Sequence, residues 1–206
     1  MILVQETQSM YEGPEMQKHI QRQTTLKNKQ WVYHILCGTR EQDRVIYTDP
    51  EKRFLLLPGM GDVREKSSGY IAIVADPLLK CLRDLRGHHV HFLQELRDKC
   101  MQHLPVHFDQ CSIHYHPSVY QLHIHFRTKE DKSHNDPRVF MLDTVIENLL
   151  SDTLYYKTTC LTFSVPMTSD FVRYVGKSTR FQNDANNCTK KNNRCVRRFN
   201  QRPIVI

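Results

Sequence analysis

Residues 111–126 read CSIHYHPSVYQLHIHF, and four histidines (His114, His116, His123 and His125) fall within these sixteen positions. From Tyr120 to Phe126 apolar and polar residues alternate strictly, the period-2 signature of a half-buried strand. Tyr120, Leu122, Ile124 and Phe126 are expected to face a core, with Gln121, His123 and His125 on the other side. The preceding segment repeats the pattern, setting Ser112, His114 and His116 against Cys111, Ile113 and Tyr115. Pro117-Ser118-Val119 supplies the turn between them. Two neighbouring strands thus project imidazoles from one face beside a loop serine, and the remaining chain reads as support for that face.

Working outward, Trp31–Leu36, Arg44–Tyr47, Phe54–Leu57 and Tyr70–Val74 are rich in β-branched, aromatic and aliphatic residues and read as strands. Pro58-Gly59-Met60-Gly61-Asp62 breaks the chain after the third of them. His88–Leu104 carries Phe92, Leu93, Leu96, Cys100 and Leu104 at helical spacing behind Gly87. A polar loop, 127–135, follows the histidine strands. Asp136-Pro137 then predicts a second helix, a capping carboxylate with proline at the first helical position, and Val139, Leu142, Val145, Ile146 and Leu149 form its stripe. Lys157–Val165 reads as the last strand. Strands gathered around two main helices, without regular alternation, predict an α+β fold with an antiparallel sheet.

The 206 residues suit one good-sized domain with appendages. Residues 1–29 read as a polar entry or hinge segment with a weak helix near 15–24. Residues 30–175 form the domain, and 176–206 a basic tail expected to be disordered. The net charge of +7 belongs to that tail, which carries eight Lys/Arg against Asp184 alone, whereas 1–175 holds 21 groups of each sign. Basicity therefore says nothing about what the domain binds. Lys190-Lys191 and Arg197-Arg198 read either as a nuclear-localisation or RNA-binding patch or, preferably, as a solvated extension. Cys188 and Cys195 lack a following histidine pair, so no zinc site is assigned to them. No run is long and apolar enough for a membrane span, and the N-terminus does not read as a signal peptide. Seven cysteines without secretory context are expected as reduced thiols in a cytoplasmic or nuclear protein.

Three chemistries fit the histidines. They could line a solvated sheet. His114, His116, His123 and His125 could share a metal, although no carboxylate or cysteine lies close by as a further ligand. Or one could act as a nucleophile, since neutral imidazole attacks phosphorus near pH 7 and a phosphoramidate splits one displacement into two.

QLHIHF resembles the core of the histidine triad motif. The chain further resembles the catalytic domain of the scavenger messenger-RNA decapping enzymes, cap dinucleotide diphosphatases of that superfamily. The blocks that carry the resemblance are QWVYHIL (30–36), Glu41-Gln42-Asp43-Arg44, LRDL (82–85), HYHPSVYQLHIHF (114–126), VIENL (145–149) and LTFSV (161–165), in the same order. The resemblance implies His123 as nucleophile on the phosphate next to 7-methylguanosine. It implies His114, His125, Ser118 and Arg138 as phosphate contacts, Arg138 being expected at a helix N-terminus that itself favours anions. Trp31, the only tryptophan, is the implied stacking partner of the cationic base. Glu41 is the implied acceptor of the guanine edge. The substrate would be cap dinucleotide or short capped RNA, the chemistry calls for no metal or cofactor, and a homodimer is expected. The alternative is a binding protein that retains the cap pocket but turns over poorly.

The chain departs from the family pattern at four places. Gln121 replaces the first triad histidine and Val119 a loop aromatic. Gly59 and Gly61 stand where an acid and a lysine are expected, with Asp62, Arg64 or Lys66 nearby as possible substitutes. The family's separate N-terminal domain has no counterpart, which predicts a slower, less selective or permanently open enzyme.

Overall fold

The structure is a computed structural model that describes residues 1–59, 69–105, 108–128 and 136–175. The tail from 176 onward, Gly61, Asp62, Arg64, Lys66 and most of the polar loop 127–135 lie outside the described residues. Among the described residues there are eight strands: β1 (Ile2–Glu6), β2 (Tyr47–Thr48), β3 (Phe54–Pro58), β4 (Tyr70–Val74), β5 (Gln110–His114), β6 (His123–Arg127), β7 (Val139–Met141) and β8 (Leu161–Val165). The helices are α1 (Gln8–Glu12), α2 (Pro14–Thr25), α3 (Trp31–Leu36), α4 (Val90–His103), α5 (Leu142–Ser151), α6 (Tyr155–Thr158) and α7 (Asp170–Tyr174). Six strands form an antiparallel sheet in the order β2-β3-β4-β6-β5-β7, and β1 pairs with β8 in a separate two-stranded sheet. The α+β expectation stands.

Register sorts the large sheet into two faces, because directly opposed residues point the same way. Phe54, Leu56, Ala72, Val74, Ile124, Phe126 and Ile113 face the main core, where they meet Leu93, Leu96 and Cys100 of α4 and Val145, Ile146 and Leu149 of α5. The other face carries Leu55 and Leu57, then Ile73 and Ile71, then His123 and His125, then Ser112 and His114. The period-2 reading therefore holds from His123 to Phe126, within β6, whereas Tyr120, Gln121 and Leu122 precede the strand and Gln121 is buried rather than on the polar face.

Arg44–Tyr47 is strand only at Tyr47, Arg44 closing a single 3-10 turn, and the last strand begins at Leu161, Lys157 and Thr158 belonging to α6. Two further elements differ from expectation in kind. Trp31–Leu36 is a helix, not a strand. Its β-forming residues are overruled by packing: Val32 and Ile35, three apart, bury against Leu55, Leu57, Ile71 and Ile73. The second long helix begins at Leu142 rather than Pro137. Asp136 does cap a backbone amide, Arg138 N–H donating to its Oδ1 at 2.9 Å, but it closes a turn that delivers β7 to the sheet edge. The same side-chain chemistry starts helices and turns, and Val139, Phe140 and Met141 pair with His114, Ile113 and Ser112 instead of coiling.

The entry segment is more structured than its polarity suggests. Val4, Met16 and Ile20 belong to the main core, which anchors β1 and α2 to the domain. Glu6, at the end of β1, is buried with Arg83: the guanidinium Nε donates to Glu6 Oε1 at 2.9 Å, and its Nη groups donate to the carbonyls of Glu6, Tyr156 and Thr159. Tyr115 O–H donates to the same carboxylate oxygen at 2.6 Å. Cys37, Cys81, Cys100 and Cys111 are free thiols, whereas Cys160 is disulfide-bonded, contrary to the expectation that every cysteine is reduced.

Candidate active site

Three half-buried imidazoles cluster on the polar rungs of β5 and β6. His114 and His125 stack at 3.9 Å between ring centroids, and His123 stands 5.0 Å from His125. Register explains this: Ser112 opposes His125, and His114 lies two residues further along β5. His123 Nδ1 lies 2.7 Å from the backbone oxygen of Gln121. A carbonyl only accepts, so that contact puts the proton on Nδ1 and leaves a lone pair on Nε2. A neutral imidazole held in that tautomer is a nucleophile.

Desolvation dominates the titration of all three rings, lowering His123 below its ordinary value, His114 to about 4 and His125 to about 2. Neighbouring positive groups, Arg127 among them, push His114 and His125 the same way. Burial disfavours the charged form of a base, so each ring remains neutral as pH falls until its own lowered pKa is reached. An NMR pH titration is accordingly expected to show the three imidazoles neutral at pH 6.5. A His123 half-protonated at or above that pH contradicts this. His114 Nε2 and His125 Nε2 are buried without a hydrogen-bond partner among the described residues. Such atoms are costly unless a ligand engages them.

His116 does not join the cluster. Its ring packs against Phe163, stacked at 5.7 Å, and beside His19, Tyr120 and Phe171, with Tyr120 O–H 2.5 Å from Nε2. Desolvation lowers it to about 3. The alternation expected over His114 and His116 ends with β5 at His114, where the chain turns. A four-histidine metal site is thus not assembled, and no metal-suited group of His, Cys, Asp or Glu occurs among the described residues.

The turn after His116 leaves Ser118 exposed, while Val119 is buried in the cluster that contains Trp31. Arg138 precedes Val139, the cross-strand partner of His114. Its guanidinium grips Asp136 through Nε at 3.0 Å and Nη2 at 2.5 Å, which holds that carboxyl below the usual range and leaves Nη1 outside the pair. Arg138 therefore sits in a turn, not at a helix N-terminus, and the anion-favouring dipole expected there is absent.

Trp31, at the first position of α3, packs half-buried on the same apolar patch as Leu55, Leu57, Ile71 and Ile73. Ile73 and Ile71 oppose His123 and His125 directly, so indole and imidazoles share one face of the sheet. Glu41 follows α3 in a left-handed conformation, φ 54°, which costs a non-glycine residue about 1–2 kcal/mol. Its carboxylate is paired with Arg44, whose guanidinium also donates to the carbonyls of Pro58 and Gly59 at 3.2 and 3.3 Å. That clamp ties Glu41 to the exit of β3, next to the strand that underlies Trp31.

Two departures from the family pattern acquire a physical reason. A Cβ at Gly59 would stand 2.9 Å from the Gly69 carbonyl oxygen, so no acid fits there without backbone movement. Gln121 is buried, its amide donating to the carbonyls of Val74 and Asp76 at 2.5 and 3.0 Å. That anchoring fixes the backbone whose oxygen orients His123. Sequence reasoning gave Gln121 no such part. The only signal was a polar residue at a position adjoining the histidine rungs.

A family model described as scavenger mRNA decapping enzyme C-terminal binding matches residues 30–138, more than half of the chain. An m7GpppX diphosphatase of Caenorhabditis elegans is 34% identical over 168 residues, covering 74% of this chain and 54% of that protein. The Sus scrofa m7GpppX diphosphatase is 33% identical over 175 residues, covering 79% and 51%, and one of Schizosaccharomyces pombe is 28% identical over 149 residues, covering 66% and 49%. The chain thus spans about half the length of the curated relatives it matches. Matched across the histidine strands, the tryptophan helix and the Arg138 turn alike, this chain belongs to the scavenger mRNA decapping enzyme family.

Proposed function

We propose that the protein hydrolyses the 7-methylguanosine cap dinucleotide, or short capped RNA fragments, with His123 as nucleophile. The observation that carries this reading is that Trp31 packs on the apolar cluster containing Ile71 and Ile73, the residues directly opposite His125 and His123 on the same sheet face. Stacking on the indole would bring the methylated base to one end of that face and the first phosphate to the other. His123 Nε2 attacks that phosphorus, and the bond to the bridging oxygen breaks, expelling a nucleoside diphosphate. Water then cleaves the P–N bond, releasing 7-methylguanosine monophosphate and restoring neutral His123. His114, His125, Ser118 and Arg138 hold the phosphate oxygens, and donors set in advance where charge develops contribute most to such steps. Glu41 accepts from the guanine edge and offsets its positive charge.

Trp31→Ala is expected to weaken binding of 7-methylguanosine monophosphate by roughly 5- to 150-fold, the range set by a lost stacking contact of about 1–3 kcal/mol. Isothermal titration with methylated and unmethylated nucleotide checks this. Equal affinities for the two nucleotides, or an unchanged Trp31→Ala constant, refute the assignment of Trp31. Product analysis with methylated cap dinucleotide tests the reaction itself.

One observation favours the second reading, a cap-binding protein with poor turnover. Gln121 spends its amide donors on Val74 and Asp76, so the position of the first triad histidine offers no group that can exchange a proton. Binding without product formation would select that reading.

A further inference from the structure

Between the end of β5 at His114 and the start of β6 at His123 the chain makes the Pro117-Ser118-Val119 turn. His116 and Tyr120 flank that turn, and their side chains meet across it, Tyr120 O–H lying 2.5 Å from His116 Nε2. We propose that His116 is a positioning residue, its bond to Tyr120 holding the turn so that Ser118 meets the substrate phosphates. The inference rests on the cap-hydrolysis reading and gives a part in it to the histidine that stands outside the cluster.

An imidazole is a costly choice for this position. Its ring lies against Phe163 of β8, stacked at 5.7 Å, and against Phe171 of α7, edge-on at 4.6 Å. His19 of α2 is 5.5 Å away and Tyr115 5.8 Å. An aliphatic side chain would pack among such rings with no polar atom to satisfy, whereas an imidazole packed there costs free energy unless its nitrogens find partners. What the imidazole adds is the bond to Tyr120. That bond has a fixed sense. Burial pushes the Tyr120 phenol well above its ordinary value, so it keeps its proton and donates. Desolvation holds His116 down at about 3, so the ring is neutral and Nε2 accepts.

The surroundings of the turn show what the clasp secures. Ser118 is exposed between Pro117 and Val119, which are both buried. Before the turn, Tyr115 N–H donates to the Arg138 carbonyl at 2.7 Å. After it, Val119 is buried in the Trp31 cluster and Tyr120 in the main core. The clasp joins these two anchored ends across Ser118. A hydroxyl that receives a phosphate must be in place beforehand, since a shift of about an ångström can cost on the order of a hundredfold in rate.

His116→Leu deletes the acceptor and Tyr120→Phe the donor, and both keep the apolar packing. Each is expected to lower kcat/KM for methylated cap dinucleotide about tenfold. Binding of 7-methylguanosine, which has no phosphate for the turn to meet, should stay at the wild-type constant by calorimetry. The double variant should be no slower than the slower single one, because both delete the same bond. By NMR the backbone order parameter of Ser118 should fall from about 0.85 in the wild type toward about 0.6 in each variant. If His116→Leu does not fold, Tyr120→Phe, which removes a single oxygen, carries the test. Wild-type kcat/KM in the variants overturns the proposal. So do losses that multiply to about a hundredfold in the double variant, an unchanged Ser118 order parameter, or a matching loss of 7-methylguanosine binding. A wild-type protein that leaves cap dinucleotide intact removes the cap reading, and this inference with it.

Discussion

A His123→Ala protein is expected to lose cap dinucleotide hydrolysis by about a thousandfold or more, because deleting the proposed covalent nucleophile removes the reaction path and not merely a contact. Its affinity for 7-methylguanosine monophosphate should stay close to wild type, since the proposed grip on the base is that of Trp31 and Glu41. That split distinguishes loss of chemistry from loss of fold. The substitution leaves Gln121 O without its Nδ1 donor but removes no core contact, as β6 buries Ile124 and Phe126 on its other side. Rapid acid-free quenching of the wild-type reaction with labelled cap should trap the label on His123 as a phosphoramidate, and none should form in the variant. A His123→Ala protein retaining more than a few per cent of the rate would sink the nucleophile assignment. Trapped label on His125 would instead transfer the role to its neighbour.

Much of this site was legible because the signal was periodic. Alternation in Tyr120–Phe126 separates imidazoles from core residues whatever the rest of the chain does, and the sheet register then places Ile71 and Ile73 beside the histidines. Position along the sheet was not legible. Trp31–Leu36 has the composition of a strand, and only the packing of Val32 and Ile35 on the β3–β4 surface makes it a helix. The Asp136-Pro137 pair looks like a helix start because an Asp side chain capping a backbone amide has the same sequence signature whether a helix or a strand follows. Parity alone groups His116 with the others, a rule that fails once β5 ends. The contacts that position His123 are least visible. A backbone carbonyl setting the tautomer of His123 has no residue signature, and Gln121 declares its role only through the carbonyls it reaches.

Arg83 presents the same problem at the level of stability. It lies within the LRDL block that helped carry the family resemblance, yet nothing local shows that its guanidinium is fully buried. It joins Glu6 of β1, the carbonyls of Tyr156 and Thr159 around α6 and, through the shared carboxylate, Tyr115 beside His114. Replacing Arg83 with Met is expected to destabilise the protein by about 3–5 kcal/mol in urea denaturation, because it strands a buried carboxylate rather than deleting a balanced pair. The double variant Glu6→Gln/Arg83→Met should recover much of that loss. The pH dependence follows from the sign of the Glu6 shift. Burial raises its folded pKa, while Arg83 is the chief opposing influence, so the single variant raises it further. A folded state that holds the proton more tightly loses stability as pH rises from the unfolded value through the folded one. Arg83→Met should therefore be milder at pH 5 than at pH 8. A loss below about 1 kcal/mol at pH 8, or a penalty that grows on acidification, would show that the Glu6–Arg83 pair does not tie β1 and Tyr115 to the rest of the fold.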